Sequence, residues 1–363
     1  MTSYEARQQA DLEHIGEMIE DVAARIQENL HNAIYALLTN DVDLANAAVL
    51  GDLPVNRRIR DIDHQCLVFV ARHLPTAGHL RYVTAARRLT VELERIGDYA
   101  ASIGRATAHL SQPLPEAILR DIELMADHAE RVLDQAMEAF AALNADQAVA
   151  TRALSRQMDS TYNRAISDLI REGERGDRPF ADLLATSVAM NRLERVNDQA
   201  KNICEETVFA VTGEAKPPKV YDVLFVDEHN AGLSKLAEAI ARRDYPGSGR
   251  YNSAGWDPAD AIDPSVAAYM NAHSLTVLDH QPSALQPVYD ALTDYEVIVS
   301  MQGDARPMIP MLPFHTVLLQ WDVGPPIEGL PPGEAESAID DAARRIEELQ
   351  SQLAHTLRGR EAT

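Results

Sequence analysis

The chain has 363 residues, 46% hydrophobic and 25% charged, an ordinary globular composition long enough for two or three domains. Its formal net charge of −23 argues against nonspecific nucleic-acid binding and against docking on anionic lipid. No run approaches the roughly 18 apolar residues of a membrane span, and the polar, amphipathic stretch Met1–Val22 does not read as a signal peptide, so a cytoplasmic location is expected. Cys66 and Cys204 are the only cysteines, which gives no disulfide framework.

Residues 1–213 read as helix after helix, with apolar side chains at helical spacing, as in Leu89, Leu93, Ile96, Ala100 and Ile103. Pro54, Pro75, Pro113, Pro115 and Pro179 suit helix starts and connections. The stretch TGEAKPPK, Thr212–Lys219, reads as a linker. Beyond it VYDVLFV, LTVL, YEVIVSM and HTVLLQW are short β-type runs separated by helical or Pro-rich segments, which predicts an α/β domain with a mainly parallel sheet. Glu334–Arg358 reads as a closing helix. The expected divisions are helical units at 1–110 and 111–213, a linker at 214–219 and an α/β domain at 220–358.

The helical part repeats itself. RRLTVELERIGDYAASI, Arg87–Ile103, matches VAMNRLERVNDQAKNI, Val188–Ile203, with Glu94 on Glu194 at an offset of about 100 residues. Upstream, Asp52 with Asn56 and Asp159 with Asn163 form a second matching pair. Two copies suggest two three-helix bundles related by duplication. Glu94 and Asp98, like Glu194 and Asp198, are spaced i, i+4 and share a helix face, where like charges repel unless a cation sits between them. Two such helices could offer oxygen ligands to a metal, with Asp52 and Asp159 from the neighbouring helices. The alternative is a solvated acidic face neutralised by Arg95 and Arg195. The arginine-rich stretch Arg81, Arg87, Arg88 and Arg95 reads as a solvated face that could also meet an acidic partner.

These motifs, with GDLPVNRRIRDID and ARHLPTAGHLRYV around them, resemble the PhoU family of phosphate-uptake regulators over residues 10–212. The resemblance implies two three-helix bundles, iron, zinc or other divalent metal on the Glu-x-x-x-Asp motifs, a homodimer, and protein contacts with a phosphate-transporter ATPase or a phosphate sensor kinase. By position Glu94, Asp98, Glu194, Asp198, Asp52 and Asp159 match the family's acids. Asn56, Asn163 and His79 stand where acids are usual, so each site carries less negative charge.

The segments VLFVDEHNAGLSKLAEAI, NSAGWDP, DPSVAAYMNAHSLTVLDHQP, VIVSMQGDARPMIP and LQWDVGPP resemble a second family, the low-molecular-weight tyrosine phosphatases and arsenate reductases. In that family a Cys attacks phosphorus or arsenic and an Arg holds the oxyanion with a bidentate fork. Here Asp227 takes the Cys position and Leu233 the Arg position, and residues 220–358 contain no cysteine. A carboxylate beside an anion repels it. The expected α/β domain is thus catalytically inactive, a sensor or interaction module, with Asp304 and Asp322 read as solvated loop acids rather than general acids. The expected function is regulation of phosphate uptake and of the phosphate regulon; the alternative is a phosphatase or arsenate reductase controlled by the helical part.

Overall fold

The structure, a computed structural model, describes residues 3–155, 157–215, 220–276, 281–310, 312–313, 315–327 and 329–358. The chain forms two compact units, Met1–Lys216 and Pro217–Thr363. Most of the linker expected at 214–219 lies outside the described residues.

In the first unit α1 (Ser3–Thr39), α2 (Val42–His73) and α3 (Ala77–His109) make the first copy of the repeat. The periodic residues of α3 are the packed ones: Leu89, Leu93, Ile96, Ala100 and Ile103 are all fully buried. Asp41 caps α2 by accepting from Leu44 N at 3.0 Å, satisfying one of the free amides of a helix start. Pro54 lies inside α2, not at a start or a connection as its type suggests. It removes one i to i−4 hydrogen bond and sits at an exposed position, while its neighbours Asp52 and Val55 are buried. Gly104 lets α2 and α3 close on each other, because a Cβ there would stand 2.7 Å from Ala45 O.

The second copy comprises α4 (Glu116–Ala141), α5 (Ala145–Leu154), α6 (Gln157–Arg175) and α7 (Phe180–Thr212). Its middle limb is two helices where the first copy has the single α2. Asn197 Nδ2 donates to Ser155 O at 3.1 Å, meeting a carbonyl that the break exposes. Its counterpart in the first copy is Gly97, which faces an unbroken α2. The repeat-bearing helices α3 and α7 pack against each other antiparallel. Arg81 Nε donates to Ala210 O at 3.3 Å, Arg88 Nη1 to Glu206 Oε2 at 3.3 Å, and Asn202 Nδ2 to Glu92 Oε2 at 3.2 Å. The arginine-rich stretch is therefore partnered within the unit: Arg88 also covers the Phe209 ring at 5.0 Å, and Arg87 Nε pairs with Asp63 Oδ1 at 2.7 Å. One hydrophobic core runs through both copies.

In the second unit β1 (Tyr221–Asp227), β2 (Gly249–Gly255), β3 (Val297–Ser300) and β4 (Val317–Gln320) form a four-stranded parallel sheet of order β2-β1-β3-β4. Around it lie α8 (Leu233–Asp244), α9 (Pro264–Ala272), the single turn α10 (Tyr289–Leu292) and α11 (Pro332–Arg358). Successive side chains of β1 point to opposite faces, as the pleat requires. Val223 and Phe225 join the cluster under α8, α9 and α11, whereas Leu224 and Val226 join Leu285, Leu292 and Ile298 on the other face. Strand β2 was not predicted, and the expected strand LTVL is not seen in its described part, Leu275 and Thr276; its last two residues lie outside the described residues.

Candidate functional site

The first acidic group is built across α2 and α3. Asp52 is 93% buried and accepts from Asn56 Nδ2 at 2.8 Å through one carboxylate oxygen. Its other oxygen, Oδ1, is buried without a hydrogen-bond partner and faces Gly97, whose missing Cβ would stand only 3.0 Å away. Burial pushes the Asp52 carboxyl above its ordinary pKa, and the charges of Asp98 and Glu94 push it further, while Asn56 and Arg105 pull the other way. The three acids therefore share one electrostatic neighbourhood. Glu94 and Asp98 are exposed, and Arg95 turns from them toward Glu92, at 3.5 Å, and Gln199.

The second group, across α6 and α7, differs. Asp159 is exposed and Asn163 buried, whereas in the first copy Asp52 is buried and Asn56 half-buried. Glu194 is largely buried, and burial raises its pKa to about 7, with Asp198 and Asp159 adding to the rise and Arg195 opposing it. Arg195 lies between the pair: Nη1 donates to Asp198 Oδ2 at 3.1 Å, and Nε stands 3.3 Å from Glu194 Oε2, out of hydrogen-bond alignment. The second copy thus carries its own cation where the first does not. Cys66 and Cys204 are buried, and desolvation pushes both thiols up to about 12, so neither is a nucleophile at neutral pH.

In the α/β unit the turn from β1 to α8 is an anion cradle already filled from within. Asp227, wholly buried, accepts from Asn230 N at 2.6 Å through Oδ1 and from Ser234 N at 2.8 Å through Oδ2. Ser234 N belongs to the first turn of α8, whose Gly232 N-cap offers no side chain, so the carboxylate serves as the negative group that helix start favours. Asn230 holds a left-handed φ of +51°; its Nδ2 donates to Ser234 Oγ at 2.8 Å and its Oδ1 accepts from Ser283 N at 2.8 Å. Leu233 points into the core and is fully buried. The sequence suggests that Asp227 repels a bound anion; the structure shows that it replaces one. Gly255 is pressed against this loop, with room for no side chain: a Cβ would stand 2.7 Å from Asn230 N and Glu228 O.

Beside the loop, at the carboxyl ends of β1, β3 and β4, opens a cavity of about 420 Å³. Trp256, Trp321, Glu228, Asp322, Gln302 and Gln320 line it. The two tryptophans fall within NSAGWDP and LQWDVGPP, but sequence reading did not single them out or bring them together, since they lie far apart in the chain. Among the described residues, the one group of three His, Cys, Asp or Glu side chains whose ligand atoms all lie within 4.8 Å of one another is Glu228, His229 and Asp257, at the same rim. The oxygens of Asp52, Glu94 and Asp98, and of Asp159, Glu194 and Asp198, are not drawn together that closely.

Comparison with known proteins agrees with the helical architecture. The PhoU domain family matches the chain twice, over residues 19–107 and 118–207. The phosphate-specific transport system accessory protein PhoU of Serratia marcescens is 30% identical over 209 residues, 56% of this chain and 84% of that protein. Among solved structures, PhoU from Pseudomonas aeruginosa matches with a TM-score of 0.55 and 26% identity, over 57% of this chain and 99% of that one. A thioredoxin-dependent arsenate reductase of Corynebacterium glutamicum is similar with a TM-score of 0.32 and 26% identity, over 44% of this chain and 76% of that one.

Proposed function

The chain belongs to the PhoU family, and from that premise we propose that it is a cytoplasmic accessory regulator of phosphate uptake and of the phosphate regulon. The observation that carries the reading is the double match to the PhoU domain, one on each copy of the helical repeat. Relatives that match the helical part of this chain are named accessory proteins of phosphate-specific transport. The partners proposed are the ATPase of a phosphate transporter and a phosphate sensor kinase, engaged by a homodimer whose two bundles span 1–110 and 111–213. No helix among the described residues is long and apolar enough to cross a membrane, in keeping with a regulator that acts through contacts. Deleting the gene is expected to derepress phosphate-starvation genes in high phosphate; unchanged expression and uptake in the deletion strain would sink the proposal.

The α/β unit at 220–358 is proposed as a non-enzymatic sensor or interaction module. Asp227 stands where an attacking thiol would be, with both oxygens engaged by backbone amides, and buried Leu233 cannot donate to an oxyanion.

The helical acids are proposed to hold a divalent cation. Asp52, Glu94 and Asp98 fit this role, since Asp52 presents a buried oxygen without a hydrogen-bond partner and its charged form is disfavoured by burial and by the charges of Asp98 and Glu94. A hard cation there would neutralise that repulsion and tie α2 to α3. Asp159, Glu194 and Asp198 fit it less well, because Arg195 already stands beside the pair as a partial counter-charge. Untagged protein is expected to carry a divalent cation that Glu94→Ala loses and Glu194→Ala keeps, measured by inductively coupled plasma mass spectrometry. Metal-free wild type, or equal content in both variants, contradicts this assignment.

A further inference from the structure

The cavity at the carboxyl ends of β1, β3 and β4 has the chemistry of a cation site, although its position in a parallel sheet is one where α/β folds commonly take ligands. Glu228 and Asp322 line it, and none of its described lining residues is Arg, Lys or His. Asp257 places a third carboxylate at the same rim. The neighbouring cradle, the local group suited to an anion, is filled by Asp227. An incoming phosphate would thus meet carboxylates, with the His229 ring at the rim as the one group beside them, among the described residues, that can carry a positive charge.

The walls are aromatic. The chain has two tryptophans, and both, Trp256 and Trp321, line this one cavity. Trp321 is braced by Phe225, with ring centroids 5.8 Å apart. Gln302 Oε1 accepts from Glu228 N at 3.0 Å and so fixes the backbone that presents Glu228. Indole faces beside carboxylates attract organic cations through the ring quadrupole and through charge. A volume of about 420 Å³ is in the range of small-molecule sites.

We propose that this cavity binds an organic cation, a guanidinium or ammonium group, between Trp256, Trp321, Glu228 and Asp322. The group could arrive on a free amine or on an arginine side chain of a protein segment. The proposal does not rest on the phosphate-regulation reading, and a deletion strain with an unaltered phosphate response leaves it standing.

Because both tryptophans line the cavity, the intrinsic fluorescence of the intact protein reports on it. The protein is titrated at constant ionic strength with agmatine and, separately, with acetyl-Gly-Arg-Gly-amide, with sodium chloride and inorganic phosphate as controls. A saturable change with either cation is expected, and the tighter of the two identifies the source. The double variant Glu228→Gln/Asp322→Asn, both sites exposed, is expected to bind about tenfold more weakly or worse, with an unaltered melting curve as the check on folding. Trp256→Leu, read by calorimetry, is expected to weaken binding similarly. No saturation by either cation up to about 10 mM, equal affinity in the double variant, or saturation by phosphate overturns the proposal.

Discussion

Replacing Asp227 with alanine is expected to lower the melting temperature of the α/β unit by about 10 °C or more, corresponding to roughly 3–5 kcal/mol. The residue is wholly buried, and each carboxylate oxygen accepts from one backbone amide, Asn230 N and Ser234 N. Alanine leaves both amides without an acceptor, each at about 1–3 kcal/mol, and removes the negative group at the start of α8. It also strands Asn230 at φ +51°, a conformation that costs a non-glycine residue about 1 kcal/mol or more unless its neighbours hold it. Relief from desolvating the carboxylate offsets part of this loss. Asp227→Asn separates the terms, since the amide keeps one acceptor but turns a donor toward a donor; a loss nearly as large is expected. Both tryptophans lie in this unit, so melting followed by their fluorescence reads it alone. Inorganic sulfate or phosphate at about 10 mM should restore part of the stability of Asp227→Ala and leave wild type unmoved, because an anion can re-enter the vacated cradle. An unchanged melting temperature in Asp227→Ala means that the carboxylate does not hold the loop.

The two halves differed in how much of them could be read from sequence. In the helical unit the signal was redundant: α3 and α7 each carry a helical period, and the second copy repeats the first, so the packed residues Leu89, Leu93 and Ile96 and the pairing of Glu94 with Glu194 were all visible. What escaped was local. Pro54 marks a helix start in most contexts, yet it lies at an exposed position inside α2. The break between α5 and α6 has no Gly or Pro to announce it; it becomes apparent only when Asn197 is seen donating to Ser155 O. In the α/β unit β2 is an edge strand whose sequence, GRYNSAG, lacks an apolar run because it is pressed against the loop through Gly255 and needs small residues there. The Asp227 carboxylate was legible as a charge in the wrong place for an enzyme. Its satisfaction by two amides depends on a backbone turn that side-chain identity does not encode. The equivalence expected of the two acidic groups fails for a similar reason: Arg95 and Arg195 occupy matching positions, but the antiparallel packing of α3 on α7 draws Arg95 toward Gln199 while Arg195 stays with Glu194 and Asp198.

That asymmetry sets an expected pH response. Metal-free protein should lose helical stability as pH rises from about 4.5 to about 7, and Glu194→Gln should remove most of that loss and raise stability at pH 8 by about 2–3 kcal/mol. The Glu194 carboxyl titrates near 7 in the folded chain instead of near 4.5, because burial, then Asp198 and Asp159, disfavour its charged form more than Arg195 favours it. Between those two values the folded chain holds a proton that the unfolded chain has released, so stability falls as pH rises. The penalty is absent below about 4.5 and complete above about 7. Burial and the neighbouring acids raise Asp52 in the same direction and add to the slope. The unit at Met1–Lys216 holds most of the helix, so far-ultraviolet circular dichroism melts at successive pH values read it, and a shift of about 5 °C at pH 8 is expected for Glu194→Gln. Glutamine is isosteric and keeps the packing, which confines the effect to charge. A divalent cation added to wild type at pH 8 should restore stability chiefly through Asp52, Glu94 and Asp98, so the restoration should survive Glu194→Gln and vanish in Glu94→Ala. A melting temperature that rises with pH, or one that Glu194→Gln leaves unaltered at pH 8, would show that Arg195 fully neutralises the pair and that no electrostatic cost remains in the second copy for a cation to relieve.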